Sequence, residues 1–370
     1  MLCKMATSCT SVSMFNNPFS ILLRLINKTP VQNEKFEIIA KTFQGLEGVL
    51  AEEITALGGS DVTIGRRMVS FVGDKAMLYK ANLACRTALR ILKPILHFEA
   101  SNPDEVYNTL RNYDWEQLMT LSTTFSIDSV VFSEEFRHSK FVTYRMKDAI
   151  ADYFNERYGK RPSVRLNNAD IQFNLHINNT TCTLSLDSSG ESLHKRGYRD
   201  AQTEAPINEV LAAGLIMLTG WHGESNFVDP MCGSGTFLIE AALIATNTYP
   251  GIFRQHFAFE KWPDFEPDLL EELYNDDSNE REFEYKIYGS DISVKATAIA
   301  ERNIKSAGVG RYIELTTQPI QNYETAPAQG GIIVTNPPYG ERIAAEDMDA
   351  LYEAIGNRLK HVFKGYTAWI

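Results

Sequence analysis

Two short segments, about a hundred residues apart, carry side chains whose order suits chemistry. The first is Phe227-Val228-Asp229-Pro230-Met231-Cys232-Gly233-Ser234-Gly235-Thr236, an apolar strand end that runs through a glycine turn into a helix. Glycines let a backbone approach a ligand closely, and the helix that follows presents free N–H groups at its start. A dinucleotide loop would need a third glycine at the Gly-x-Gly-x-x-Gly spacing. That position is Leu238, and an acid, Asp229, stands ahead of the turn. A carboxylate there disfavours a phosphate and suits a ligand bearing an amino group or a sulfonium, which points to S-adenosylmethionine rather than NAD. The expected cofactor residues on this loop are Asp229, Pro230, Cys232, Gly233, Ser234, Gly235 and Thr236. Asp291 and Ile292 join them from Gly289-Ser290-Asp291-Ile292, where an acid at a strand end can accept both ribose hydroxyls.

The second segment is Asn336-Pro337-Pro338-Tyr339, leaving the apolar run Gly331-Ile332-Ile333-Val334-Thr335. Two prolines fix the backbone and remove two donors, so the Asn336 amide oxygen and the Pro337 carbonyl stand as a pair of acceptors. Such a pair suits a planar exocyclic amine, whose nitrogen is then aimed at a methyl sulfonium. Catalysis would rest on orientation and proximity more than on a strong base. Tyr339 offers a ring on which a heterocycle can stack. The expected catalytic residues are therefore Asn336, Pro337, Pro338 and Tyr339. The same logic serves adenine N6, cytosine N4, guanine N2 and a glutamine amide, so the residues alone leave the substrate open.

The elements that must position these segments follow from periodicity. After residue 200, strands are expected near 226–229, 285–290, 313–317, 331–335 and 366–370, with helices near 236–247, 293–307 and 349–363 between them. That alternation predicts an α/β fold with a doubly wound parallel sheet covered on both faces. A helix is expected to bury Ile207, Leu211, Leu215 and Leu218 as a stripe. The stretch Asp264 to Glu284, with ten acids and one basic residue, reads as a solvated insertion. Residues 34–200 read instead as compact α+β. Strands near 36–42, 62–64, 68–72 and 88–98 come with helices near 46–57 and 75–83, the first stopped by Gly58-Gly59. A second unit opens at Asn102-Pro103-Asp104 and ends in a hairpin around Asn178-Asn179-Thr180.

The chain has 370 residues, 36 Lys+Arg against 47 Asp+Glu, and a net charge of −11. The charge is uneven, at +2 over residues 1–200 and −13 over 201–370. The densest basic run lies in 137–165, where Arg137, Lys140, Arg145, Lys147, Arg157, Lys160, Arg161 and Arg165 meet three acids. Such a run can track phosphates. Among its interleaved aromatics, Tyr144, Tyr153, Phe154 and Tyr158, core positions are expected. Five scattered cysteines form no CxxC pair, so neither a disulfide framework nor a structural metal is expected and a reducing, cytoplasmic compartment is the natural reading. No apolar run approaches the roughly 18 residues of a membrane span. The first 33 residues carry no acid and three basic residues. That composition fits a transit peptide, but a disordered leader is the preferred reading.

On these motifs, together with Phe36-Glu37-Ile38-Ile39-Ala40, Gly45-Leu46-Glu47, Leu193-His194-Lys195-Arg196-Gly197-Tyr198-Arg199 and Glu204-Ala205-Pro206-Ile207, residues 34–370 resemble the THUMP-domain RNA methyltransferases, specifically the bacterial 23S rRNA guanine-N2 methyltransferases. The resemblance implies a ferredoxin-like domain over 34–100, a THUMP domain over 101–190 and a class I, Rossmann-like methyltransferase domain over 191–370. It implies methyl transfer from S-adenosylmethionine to the N2 amine of a guanine in 23S rRNA, free or in an assembly intermediate, with no obligate protein partner. From the basic run and the connector, Arg137, Lys140, Arg145, Lys147, Lys160, Arg161, Arg196 and Arg199 are the expected RNA contacts. A transfer RNA substrate, or a non-catalytic RNA-binding or assembly factor that keeps the pocket, are the alternatives. The family's sheet has seven strands where five are read here, so the closing antiparallel hairpin is expected to be missing and the chain truncated.

Overall fold

A computed structural model describes residues 34–136, 139–203, 206–338 and 345–370, without the side chains of 345–347. The expected leader therefore lies outside the described residues, as do Arg137 and Tyr339.

The N-terminal half builds one seven-stranded sheet from β1 (Phe36–Lys41), β2 (Ser60–Gly65), β3 (Met68–Gly73), β4 (Arg90–Glu99), β5 (Phe125–Phe132), β6 (Ile171–Asn178) and β7 (Thr181–Asp187). Their spatial order is β2-β3-β1-β4-β7-β6-β5. The β4–β7 pairing joins the two expected units into a single sheet, with a register shift beside Pro94, which has no N–H to give the ladder. Helices α1 (Glu47–Leu57), α2 (Lys75–Ala84), α3 (Pro103–Arg111) and α4 (Ser139–Tyr158) accompany it. Each boundary has a local cause. Gly58 closes α1 in the left-handed conformation, φ 104°. Asn102 accepts from the backbone N–H groups of Asp104 and Glu105 to open α3, with Pro103 in its first turn. Asn179, at φ 54°, turns the β6–β7 hairpin.

The C-terminal half builds a wholly parallel five-stranded sheet, in the order β10-β9-β8-β11-β12. Its strands are β8 (Phe227–Asp229), β9 (Ile287–Asp291), β10 (Ile313–Thr317), β11 (Gly331–Val334) and β12 (Tyr366–Trp369). Helices α5 (Glu209–Leu218), α6 (Thr236–Ala245), α7 (Pro267–Tyr274), α8 (Val294–Ser306) and α9 (Ala345–His361) complete the half. Alternation along the strands splits the core into two clusters. Phe227, Ile332 and Val334 pack with α6, while Val228 and Ile333 pack with Phe363 and Tyr323. Asn226 aligns the three central strands at their start, accepting from the Lys286 N–H and donating to the Gly330 carbonyl. Gly331 must be glycine here, because a Cβ would stand 2.3 Å from the Asn226 carbonyl oxygen.

One expectation is corrected and another narrowed. The buried side of α5 is Val210, Ala212, Ala213 and Ile216, whereas Leu215 and Leu218 are exposed. The cause is a close crossing: Gly214 lies against Leu46 of the N-terminal half, which rotates the helix away from its leucine stripe. The solvated reading of 264–284 is narrowed rather than overturned: most of its residues are exposed, but Leu270 within it and the aromatic segment just ahead of it are buried. Phe257, Phe259, Trp262 and Leu270 are buried in the core of the N-terminal half, and Phe259 stacks on Tyr79 at 4.1 Å between ring centroids. Lys75 pairs with Asp264 and Glu266, and the Glu266 N–H donates to the Tyr79 hydroxyl. A strap from one half thus completes the core of the other, and its remaining acids over 276–284 stay mostly exposed.

Candidate active site

The carboxyl ends of β9, β8 and β11 lie side by side, and the chain reverses direction across the sheet at β8, the place where open α/β sheets bind ligands. Asp229 ends β8, Asp291 ends β9, and Thr335-Asn336 leave β11. Between Asp229 and α6 the loop folds on itself: the Gly235 N–H donates to the Cys232 carbonyl, and the Cys232 N–H to the Ser290 carbonyl. Gly233 and Gly235 have φ of 53° and 82°. A side chain at Gly235 would meet Ala300, whereas nothing lies within 4 Å of where one would stand at Gly233. That space opens into a cleft of about 560 Å³.

The cleft is lined at once by Asp229, Pro230, Cys232, Gly233, Ser234 and Thr236 of the loop, by Asp291 and Ile292, and by Asn336 and Pro338. Gly235 sits behind the lining. Asp291 is oriented by the backbone, one carboxylate oxygen accepting from the Gly233 N–H and the other from the Ser293 N–H, both at 2.9 Å. Each oxygen keeps a further lone pair for a ligand hydroxyl. Ile292 is 73% exposed, an apolar surface at the cleft mouth. The Cys232 thiol is held well above its ordinary pKa, first by burial, and so stays protonated.

Asp229 is buried and accepts from the Met231 N–H and from the Thr335 hydroxyl, the latter at 2.7 Å. Burial pushes its carboxyl up to about 7, and the nearby Asp291 adds to the rise, against the two hydrogen bonds. A buried acid poised there gains its charge when a cation arrives beside it. The Thr335 bond also ties the start of the second segment to the first. It escapes sequence reading, because Thr335 looks like one more β-branched strand residue. Asn336 is exposed and Pro337 buried, so the rigid dipeptide presents the amide from a fixed base.

Three family descriptions cover the described chain: an RlmL ferredoxin-like domain over residues 37–92, a THUMP domain over 100–187 and an RMKL-like methyltransferase domain over 196–370. A Synechocystis protein provisionally named an RNA methyltransferase is 38% identical over 334 residues, spanning 90% of this chain and 87% of its own. The chain belongs to this THUMP-containing, RMKL-like RNA methyltransferase family. The ribosomal RNA large subunit methyltransferase K/L of Syntrophotalea carbinolica is 37% identical and covers 88% of this chain, which spans only 47% of that relative's length. Among solved structures, a provisionally named methyltransferase complexed with SAH aligns with a TM-score of 0.79 at 29% identity, over 90% of this chain and 89% of its own. A Listeria monocytogenes protein described as a predicted N6-adenine-specific DNA methylase aligns at 0.81 and 31% identity, over 90% and 88%. S-adenosylmethionine is accordingly the methyl donor of the family, and the glycine loop, open cradle and cation-ready acid of this cleft fit it.

The other residues singled out in this methyltransferase are scattered. Lys140 and Lys160 are exposed at the two ends of α4. Arg145 pairs with Asp104 and covers the Tyr107 ring, Lys147 pairs with Asp148, and Arg161 with Asp152, so three of the eight charges of the run are locally offset. Of the aromatics, Tyr153 and Phe154 are core, whereas Tyr144 and Tyr158 are more than half or about half exposed. Arg196 is corrected as an RNA contact: it is buried, ion-paired with Glu240, and donates to the Leu193 and Arg86 carbonyls. Tyr198 donates to the same Glu240. Arg199 is corrected too. It pairs with Glu209 and donates to the Ser234 and Thr236 hydroxyls, bracing the cofactor loop from behind.

Proposed function

We propose that this chain transfers a methyl group from S-adenosylmethionine to the exocyclic N2 amine of a guanine in 23S rRNA. The observation that carries the reading is the single cleft where the glycine loop, Asp229, Asp291 and the Asn336 amide meet. S-adenosylmethionine supplies an electrophilic methyl on a sulfonium. In this reading Asp229 is the counter-charge to the cationic end of the donor, Asp291 takes the ribose hydroxyls, and Ile292 covers the adenine. The Asn336 amide oxygen and the Pro337 carbonyl accept the two amine hydrogens and point the nitrogen lone pair along the line of displacement. Tyr339 stacks on the base. With the donor bound there, the methyl–sulfur bond would break as the nitrogen–carbon bond forms, leaving a neutral thioether, and the amine proton would pass to water on the exposed Asn336 side.

RNA rather than DNA is supported by the THUMP match, and 23S rRNA by the names of the K/L relatives. The Lys140 and Lys160 ends of α4 are then the outer RNA contacts, with Arg145, Lys147 and Arg161 contributing where their carboxylate partners yield to phosphate. The test is incubation of the protein with methyl-labelled donor and unmodified 23S rRNA, transfer RNA or duplex DNA, followed by nucleoside mass spectrometry. Label in N2-methylguanosine from 23S rRNA is expected; label in an adenine, or in DNA, refutes the proposal. Asn336→Ala is expected to cut turnover by about 100-fold with donor affinity retained.

A further inference from the structure

A second cavity of about 530 Å³ opens on the other side of the Pro206–Ile207 wall, which it shares with the cofactor cleft. Its charged lining is Lys195, Arg196, Arg199 and Arg254 against Glu191 and Glu209, with His194 and His256 beside them. Arg196 and Arg199 are spent on Glu240 and Glu209, so the charge left for a ligand is that of Arg254 and, where Glu191 yields, of Lys195. The field is felt at His194, whose pKa is lowered first by burial and then by all four cations together. Arg254 is fixed in place by the carbonyls of Ser189, Glu191, Ser192 and Lys195, neutral groups that orient the charge without cancelling it. Its Nε is buried and has no hydrogen-bond partner among the described residues.

We infer that this cavity is an anion site for a phosphodiester of the RNA strand that delivers the target base to the neighbouring cleft. The inference rests on the proposed function for the identity of that strand. Geometry supports it in three ways. A base bound against Asn336 leaves its flanking backbone outside the cleft, and the shared wall is a boundary across which that backbone can pass. The cavity is rigid where it must be, because Arg254 is clamped by the connector between the two halves. Its rim carries a mobile charge, since Lys195 makes only an exposed pair with Glu191. A phosphate can replace that carboxylate at little cost, as such pairs contribute little in water.

The test measures binding of the whole protein to deproteinised 23S rRNA and to a single-stranded oligoribonucleotide over a salt series. Lys195→Ala removes one phosphate contact, so the log–log salt slope on the single-stranded probe is expected to fall by about 0.7 and affinity at 0.1 M salt by about fivefold. Glu191→Gln is expected to act in the opposite direction, tightening both probes. Lys305→Glu, on an exposed turn of α8, controls for a general change of charge. Donor affinity, measured by calorimetry, is expected to stay unchanged in all three. Equal slopes for wild type and Lys195→Ala, or a Glu191→Gln variant no tighter than wild type, overturn the site while leaving the proposed function standing. Wild-type protein that binds neither RNA overturns both, and RNA binding with the expected variant effects but without guanine methylation overturns the proposed function alone.

Discussion

Replacing Thr335 with valine removes one hydroxyl and keeps the shape, which makes it a clean probe of how the two segments are coupled. The Thr335 hydroxyl donates at 2.7 Å to a carboxylate whose other resolved donor is the Met231 N–H. A hydrogen bond to a charged group contributes about 1.5–3 kcal/mol, equivalent to about 1–2 pKa units. Asp229 would then move from about 7 up to about 8–9. At pH 7 its ionised fraction falls from about one half to between about 1% and 9%, so a ligand that needs the charge binds about 5- to 50-fold more weakly. Calorimetric titration with S-adenosylmethionine from pH 6 to 9 checks this. The amino group of the donor titrates in the same range, but identically for both proteins, so their ratio isolates Asp229. The gap is expected to close as pH rises past 9. A Thr335→Val variant weaker by the same factor at every pH would refute the coupling and leave only a packing role for Thr335.

The other predictions concern stability and the corrected residues. Because the folded pKa of Asp229 lies above its unfolded value near 3.8, the folded chain keeps a proton that the unfolded chain releases between about pH 4 and 7. Stability should therefore decline across that window by on the order of 4 kcal/mol and level off above it, and Asp229→Asn should abolish the decline in denaturant titrations. Phe259→Ala is expected to cost about 3–5 kcal/mol, read as an earlier denaturation midpoint. Arg196→Met should cost about 3–5 kcal/mol by stranding Glu240 in the core, while RNA affinity of the protein that remains folded is unchanged. Loss of RNA affinity without loss of stability would restore Arg196 as a surface contact.

Local signals made much of this molecule legible in advance. Asn102-Pro103, Gly58 and Asn179 act on their own neighbours, so their turns and caps can be read one residue at a time. The cleft was legible for the same reason: each of its segments sits at a strand end, and the parallel order brings strand ends together. What could not be read were partners distant in sequence. Arg196 and Arg199 look like two more basic residues, and only folding places Glu240 and Glu209 beside them. The leucine stripe of α5 was misread because Gly214, a residue with no side chain to announce itself, sets the helix against Leu46. Phe257, Phe259 and Trp262 precede an acidic stretch whose composition says solvent, yet they serve a core built more than a hundred residues earlier.

The strap has a consequence for how this protein can be taken apart. Cutting the chain in the connector near residue 190 would separate two folded units on paper, but the N-terminal piece would leave behind the aromatic rings that fill its interior. It would expose the face of Tyr79 and the hollow that Phe257, Phe259, Trp262 and Leu270 fill, and the C-terminal piece would carry those side chains into water. Neither fragment is then a fair stand-in for the part it played. The boundary drawn along the sequence and the boundary that water recognises are different surfaces, and only the second can be cut without loss.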